Sequence, residues 1–225
     1  MSQVVVVAVD GPAGSGKSSV SKAVAKKLGF SYYDTGASYR ALAWAALNSH
    51  ADLTSEEDVL KVINSWSYVA SENPEAQSFT VDGVDVTEAI RGELVSGSVS
   101  VVAKHPAVRE ALVRHFRDVI THCENPGIVM EGRDITTVVA PDARVRILLT
   151  ADEEVRIARR QAEISGTTAA PVAESLRARD RSDQSVVDFM NAAPGVEVID
   201  SGPLTFEDTI DAMLNLIKEK MGQSR

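Results

Sequence analysis

The chain reads as an α/β protein: a five-stranded parallel sheet flanked by helices, with a small β-rich insert. Three observations predict this. Short apolar, β-branched runs recur at residues 4–9, 127–130, 145–149 and 196–199, each bounded by Gly, Pro or Asp, as strands buried on both faces do. Helix-compatible segments fall between such runs, at 20–28, 36–48, 106–122 and 153–165, and this alternation marks a doubly wound sheet. The first run leads into Gly11-Pro12-Ala13-Gly14-Ser15-Gly16-Lys17-Ser18, which satisfies G-x-x-x-x-G-K-[ST] in the strand–loop–helix context that makes the pattern a phosphate-binding loop.

The first strand is the valine-rich run, too short and too abruptly ended by the loop to be a secretion signal. Its glycines let successive backbone N–H groups turn toward one polyphosphate. The helix that follows, opening near Ser19, adds the partial positive charge of its N-terminus. Lys17 is expected to reach the β- and γ-phosphates and the Ser18 hydroxyl to meet Mg2+. A weaker strand, 30–33, supplies the fifth member and ends at Asp34. Polar residues then follow the strands: Asp10 after the first, Asp34-Thr35-Gly36 after the second, Glu131-Gly132-Arg133-Asp134 after the third, and Asp200-Ser201 after the last. Ligands bind at this edge of open α/β sheets, so these residues are expected to line one cleft.

Between about 62 and 98 the pattern changes to short alternating runs with Asp82-Gly83 as a tight turn, suggesting an antiparallel insert. The division expected is a core of 1–61 and 99–225 with the insert at 62–98. A polar stretch of about 156–183 contains a turn at Ser165-Gly166-Thr167-Thr168.

The balance of 32 acidic against 23 basic residues, net charge −9, argues against general nucleic-acid binding, which rests on phosphate neutralisation by Lys and Arg. No apolar stretch approaches bilayer-spanning length. The one cysteine, Cys123, cannot form a disulfide within the chain and fits a reducing compartment. The four histidines show no metal-ligand spacing. A cytoplasmic protein without nucleic-acid or membrane partners is expected.

A phosphate-binding loop does not by itself separate a kinase from a GTPase or a motor ATPase. No N-K-x-D base-reading motif is present, although Ile128-Val129-Met130-Glu131 imitates the acidic strand end of ATPases. The discriminating feature is a set of arginines at polar turns and helix starts, Arg40, Arg109, Arg133 and Arg179. A guanidinium fork suits bidentate recognition of phosphate and carbonyl groups. Transfer between two nucleotides needs charge neutralised on both.

Over nearly its full length the chain resembles the bacterial cytidylate kinases. The matching pieces are Asp10 through Ser18, Asp34-Thr35-Gly36-Ala37-Ser38-Tyr39-Arg40, Gly132-Arg133-Asp134-Ile135-Thr136-Thr137-Val138-Val139, Pro141-Asp142-Ala143 and Arg179-Asp180-Arg181-Ser182-Asp183. The resemblance implies a P-loop kinase fold and phosphoryl transfer from ATP to CMP or dCMP with Mg2+ in pyrimidine nucleotide metabolism, by a monomer. It implies that Gly11 to Ser19 bind ATP, with Lys17, Arg40 and Arg133 catalytic. Thr35, Arg109 and Asp134 would read the cytosine edge. Arg40 and Arg133 would hold the acceptor phosphate beside Tyr39, and Ser100, Arg179 and Asp183 the ribose. The insert would serve the acceptor nucleotide. Arg156, Arg159 and Arg160, which share a helix face at i, i+3 and i+4, would belong to a lid of about 156–183 over ATP.

Three positions depart from the family pattern. Val186 stands where an arginine is common, Thr136 where a glycine is usual, and Glu131 where many relatives carry Asp. Glu131 is expected to orient Mg2+ through water. Two other readings stay open: a P-loop kinase of another small acceptor, such as shikimate or dephospho-coenzyme A, and a nucleotide-dependent regulatory ATPase acting on a protein partner.

Overall fold

At the centre of the computed structural model, which describes residues 4–163 and 169–222, the valine-rich run forms strand β1 (Val5–Asp10). It is followed by α1 (Lys17–Leu28), β2 (Ser31–Asp34) and α2 (Thr35–Asn48). Helix α3 (Glu56–Ser65) leads to β3 (Tyr68–Ala70), β4 (Phe79–Val81) and β5 (Val84–Asp85). Helices α4 (Glu93–Val102) and α5 (Pro106–Thr121) return the chain to β6 (Gly127–Gly132). After β7 (Val145–Thr150) come α6 (Glu153–Glu163), α7 (Ala169–Gln184), β8 (Glu197–Asp200) and α8 (Phe206–Gly222). The main sheet has the order β2-β6-β1-β7-β8 and is parallel throughout. All five expected strands are in it.

Alternation along β1 explains why the run is apolar at nearly every position. Val7 and Val9 join Val129, Ile147 and Leu149 against Val20, Val24, Met213 and Ile217 on one face. Ala8, Ile128 and Met130 pack on the other face with Leu42, Leu112 and Phe116. Both faces are dry, so period-two polarity is absent and only β-branching with length marks the strand. Parallel pairing in this order puts the carboxyl ends of β1, β2 and β6 side by side, with the loop after β1 central.

Residues 67–85 carry the second sheet, antiparallel, in the order β3-β4-β5. Its tight turn has Asp82 and Gly83 both at positive φ, 51° and 79°, the geometry that twists a two-residue hairpin correctly. Phe79 and Val81 from this sheet pack against the alanine stripe Ala37, Ala41 and Ala45 of α2. Those small residues let the sheet sit close to the helix that carries Tyr39 and Arg40. The stretch read as β-rich, 62–98, is helical at both ends, where α3 finishes and α4 begins. The sequence of α4, rich in Val and Ser with Gly97, is a poor helix former, and burial of Val95 and Val102 overrides that preference. The turn read at 165–168 and the last residues of the helix read at 153–165 lie outside the described residues. No helix among the described residues is long and apolar enough to cross a membrane.

Candidate active site

At the loop after β1, Gly11 has φ 155° and a Cβ there would lie 2.1 Å from the Leu149 carbonyl oxygen, so no other residue fits. Gly16 ends the loop in the left-handed region, φ 84°, and no side chain caps α1. The first-turn N–H groups of α1 are therefore left for an outside acceptor. The Ser15 hydroxyl is buried with no partner among the described residues. These are the features of a cradle whose hydrogen bonds are completed by an anion.

Lys17 is buried beneath this loop, and its Nζ lies 2.8 Å from Glu131 Oε2 at the end of β6. The other carboxylate oxygen of Glu131 accepts a 2.6 Å hydrogen bond from the Tyr32 hydroxyl. Glu131 is thus held from two sides by groups of opposite character, a cation that can leave and a phenol that cannot. Asp10, also buried, accepts from the Ile135 and Thr136 backbone N–H groups and from the Thr136 hydroxyl at 2.6 Å. Burial raises the Asp10 carboxyl above its ordinary value in spite of these bonds. The Thr136 hydroxyl therefore adds a third strut between the end of β1 and the turn bearing Arg133 and Asp134.

Arg133 reaches across to both sides of the cleft. Its Nε donates to Asp183 of α7 at 3.0 Å and one terminal nitrogen donates to the Gly11 carbonyl at 2.8 Å. The guanidinium also lies 4.9 Å from the centre of the Phe189 ring, a cation–π distance. Arg40 donates to Asp34 at 2.9 Å, while its Nε is buried without a partner among the described residues. Burial pushes the Asp34 carboxyl up, but Arg40, the Ala37 N–H and Lys17 together outweigh it and hold it below the ordinary range. Arg179 projects into the same cleft, open to its solvent but crowded by protein. That enclosure, with Arg133 as the nearest like charge, pulls its guanidinium down to about 10.

At the far end, Arg109 of α5 forms an ion pair with Asp134. Thr35 donates to the Glu131 carbonyl at 2.8 Å, which leaves its oxygen as an acceptor. Tyr39 has a buried hydroxyl with no partner among the described residues, and burial together with Asp134 pushes its phenol well up. Ser100 of α4 and Asp183 complete the wall. These groups, with Asp34, Arg40, Glu131, Arg133 and Arg179, line one cleft of about 520 Å³, which also includes Pro12, Ala13, Gly14, Gly16, Lys17, Ser18 and Ser19; Gly11 and Ser15 lie outside its lining. A second hollow of about 590 Å³ lies at the opposite, amino-terminal edge of the sheet, beside Gly29, Asn73 and His122. It has no convergent cations, since its Lys26 pairs with Glu75.

The three arginines of α6 divide. Arg160 lines the cleft. Arg156 is buried and donates to the Ala13 carbonyl at 2.9 Å and to Asp180 at 2.5 Å. Arg159 donates to the Ser15 carbonyl at 3.4 Å and to both oxygens of Ser201. In this state two of the three hold the phosphate loop by its carbonyls. The donors near Lys17 suit a hard cation: the Ser18 hydroxyl and the Glu131 carboxylate are oxygen ligands. Among the described residues no cluster of three His, Cys, Asp or Glu offers a protein cage. Such a sparse set fits Mg2+, which is held largely by phosphates and water.

Comparison with known proteins follows the same lines. A model of the cytidylate kinase family matches residues 7–219. The chain belongs to the cytidylate kinase family. It is 43% identical over 218 residues to a cytidylate kinase of Streptomyces avermitilis, covering 96% of this chain and 94% of the relative. A cytidylate kinase of Cutibacterium acnes is 44% identical over 214 residues, with 94% and 95% covered. A solved structure of an uncharacterized protein from Eubacterium ventriosum superposes with TM-score 0.55 over 98% of this chain and 99% of its own, at 12% identity, a likeness of fold alone.

For a member of the cytidylate kinase family, the cleft contains supports that motif reading passed over. Tyr32 is outside the motifs, Asp180 lies within one without an assigned role, and Asp10 and Ser201 are expected only as polar residues at the carboxyl ends of strands. Their signal is slight: Asp10 and Tyr32 are polar groups in buried strand segments, and buried polar groups require partners.

Proposed function

We propose that this chain transfers the γ-phosphoryl group of ATP to CMP or dCMP, giving ADP and CDP or dCDP. The reading rests on one observation above all. A single cleft holds an uncapped phosphate loop at one end, the Arg109–Asp134 pair at the other, and the guanidinium groups of Arg40, Arg133 and Arg179 between them. That is the charge distribution two nucleotides need if their phosphates are to meet in line.

On ATP binding, the loop N–H groups take the β- and γ-phosphates and Lys17 exchanges Glu131 for phosphate oxygens. Arg160 faces the donor phosphates from α6, and a shift of α6 would bring Arg156 and Arg159 to bear on them. Arg40 and Arg133 hold the acceptor phosphate, with Tyr39 offering its unpartnered hydroxyl beside it. Thr35, Arg109 and Asp134 present an acceptor–donor mixture to the cytosine edge, and Ser100, Arg179 and Asp183 address the ribose. Ser18, and Glu131 through water, would hold Mg2+, which neutralises charge developing between the β- and γ-phosphates. No strong general base is required, because the acceptor phosphate oxygen is already a nucleophile. Positioning and fixed charge carry the acceleration. The same reading makes the protein a cytoplasmic, monomeric enzyme of pyrimidine nucleotide metabolism.

The test is ADP formation with ATP and Mg2+ across CMP, dCMP, UMP, AMP, dTMP and shikimate. CMP and dCMP are expected to give the highest turnover. Turnover with shikimate alone would move the assignment to another acceptor. No stimulation by any of them would point to a regulatory ATPase.

The acid side of the pH profile carries a second expectation. Burial raises the Asp134 carboxyl above its ordinary 3.8, against the pull of Arg109. The ionised form is the one that pairs with Arg109, so falling pH protonates it earlier than an exposed Asp. We expect kcat/KM for CMP to fall on an acid limb lying above pH 3.8, with KM for ATP level across the same range. Asp134→Asn should flatten the CMP limb; an unchanged limb would remove Asp134 from base reading.

A further inference from the structure

The Tyr32–Glu131–Lys17 chain is the part of the site that family motifs leave unexplained. Tyr32 is fully buried, and its hydroxyl donates to Glu131 Oε1 at 2.6 Å. Glu131 is 2% exposed and gives its second oxygen to Lys17 at 2.8 Å. The Ser18 side chain also lies close enough to interact with the same phenol. Lys22 sits 5.3 Å from the centre of the Tyr32 ring, fixing the ring from its face. The Tyr32 backbone is tied by its N–H to the Glu72 carbonyl at 2.9 Å and paired in register with Val129 of β6. Neither ring nor backbone is free to follow Glu131 if that side chain moves.

Two facts make this anchor necessary. Lys17 must leave Glu131 when phosphates arrive, because one ammonium at the phosphate loop serves the β- and γ-phosphates. At that moment Glu131 loses its ion-pair partner and, without a further anchor, becomes a buried carboxylate free to rotate. A glutamate side chain has three rotatable bonds, so fixing it costs conformational entropy. A phenol hydrogen bond removes that freedom without neutralising the charge. A cation in the same place would hold Glu131 equally well but cancel its attraction for Mg2+.

We propose that Tyr32 is a positioning residue for the metal side of the nucleotide site. It holds Glu131 by one oxygen so that the other faces the water shell of Mg2+ once Lys17 has moved to the phosphates. The inference rests on the reading of the cleft as an ATP site, and its test separates the two.

Binding of ATP is measured calorimetrically to the wild type, Tyr32→Phe, Glu131→Gln and the double variant, with Mg2+ and with the metal chelated. Thermal midpoints confirm folding. Tyr32→Phe is expected to weaken binding of ATP with Mg2+ about tenfold, the scale of one hydrogen bond to a charged group. Binding of metal-free ATP should stay within about twofold. The Mg2+ concentration for half-saturation at fixed ATP should rise severalfold. The double variant should bind no more weakly than Glu131→Gln alone, since the two act in series. Equal weakening with and without Mg2+, or additive losses in the double variant, would reduce Tyr32 to a packing role and overturn the proposal. So would wild-type affinity in Tyr32→Phe. Failure of the wild type to bind ATP in either condition would instead overturn the functional reading.

Discussion

Replacing Lys17 by Ala is expected to lower kcat for CMP phosphorylation about 10³-fold, with KM for CMP within about threefold of wild type. A single preorganised donor aimed at developing charge contributes about 10²–10³ in rate. Lys17 adds a full charge in a buried position, so the upper end applies. The acceptor side changes little, because among the described residues Lys17 pairs with Glu131 and reaches Asp34, the partner of Arg40, only through space. Lys17→Arg should not rescue the rate: the narrow place between loop and β6 was shaped by an ammonium, and a planar fork is wider. Loss of Lys17 also leaves Glu131 buried with Tyr32 alone. Breaking a buried pair costs up to about 3–5 kcal/mol, so the thermal midpoint must be measured beside the rate. Steady-state ADP formation at saturating ATP, Mg2+ and CMP decides the matter. A kcat within tenfold of wild type would remove Lys17 from the reaction.

Arg133→Ala is expected to reduce kcat/KM for CMP by about 10²–10⁴-fold, the range for truncating one member of a buried, hydrogen-bonded charge pair. The size follows from the number of attachments. Arg133 joins the Gly11 carbonyl of the donor loop to Asp183 of the acceptor wall and packs over Phe189. On the proposed reading its removal strips a cation from the acceptor phosphate, and the Asp183 carboxylate, 16% exposed, loses its ion pair and keeps only the through-space influence of Arg179. Because the Gly11 carbonyl also loses its donor, KM for ATP should rise, but less than KM for CMP. Arg133→Lys restores charge without the fork and should recover no more than about tenfold. Separate titrations of ATP and CMP read the two effects. An unchanged KM for CMP would show that Arg133 serves the donor loop alone.

Much of the frame was legible because it obeys local rules. Apolar runs between Gly, Pro and Asp marked four strands of the main sheet, with 30–33 a weaker fifth, and Asp82-Gly83 marked the hairpin. Helix α3 was signalled as well, by Ser55 capping three acidic residues, although the reading passed over it. Helix α4 was not legible. Its valines and Gly97 favour other conformations, and only packing against α2 makes it helical. The candidate site divides in the same way. Lys17, Arg40, Arg133 and Asp134 stood out by motif and do line the cleft. The hold of Arg156 and Arg159 on loop carbonyls did not, because spacing shows that residues share a helix face without showing what the face meets.

The sequence by itself determined a parallel α/β sheet, an anion cradle after its first strand, and a family whose members are named for cytidylate. These depend on period, glycine conformation and motif spacing, all confined to short stretches of chain. Only the tertiary structure decided which charges answer which. Tyr32 meets Glu131 across 99 residues and Arg133 meets Gly11 across 122. Such pairs are selected by burial, since a polar group removed from water must find whatever partner the fold brings within reach.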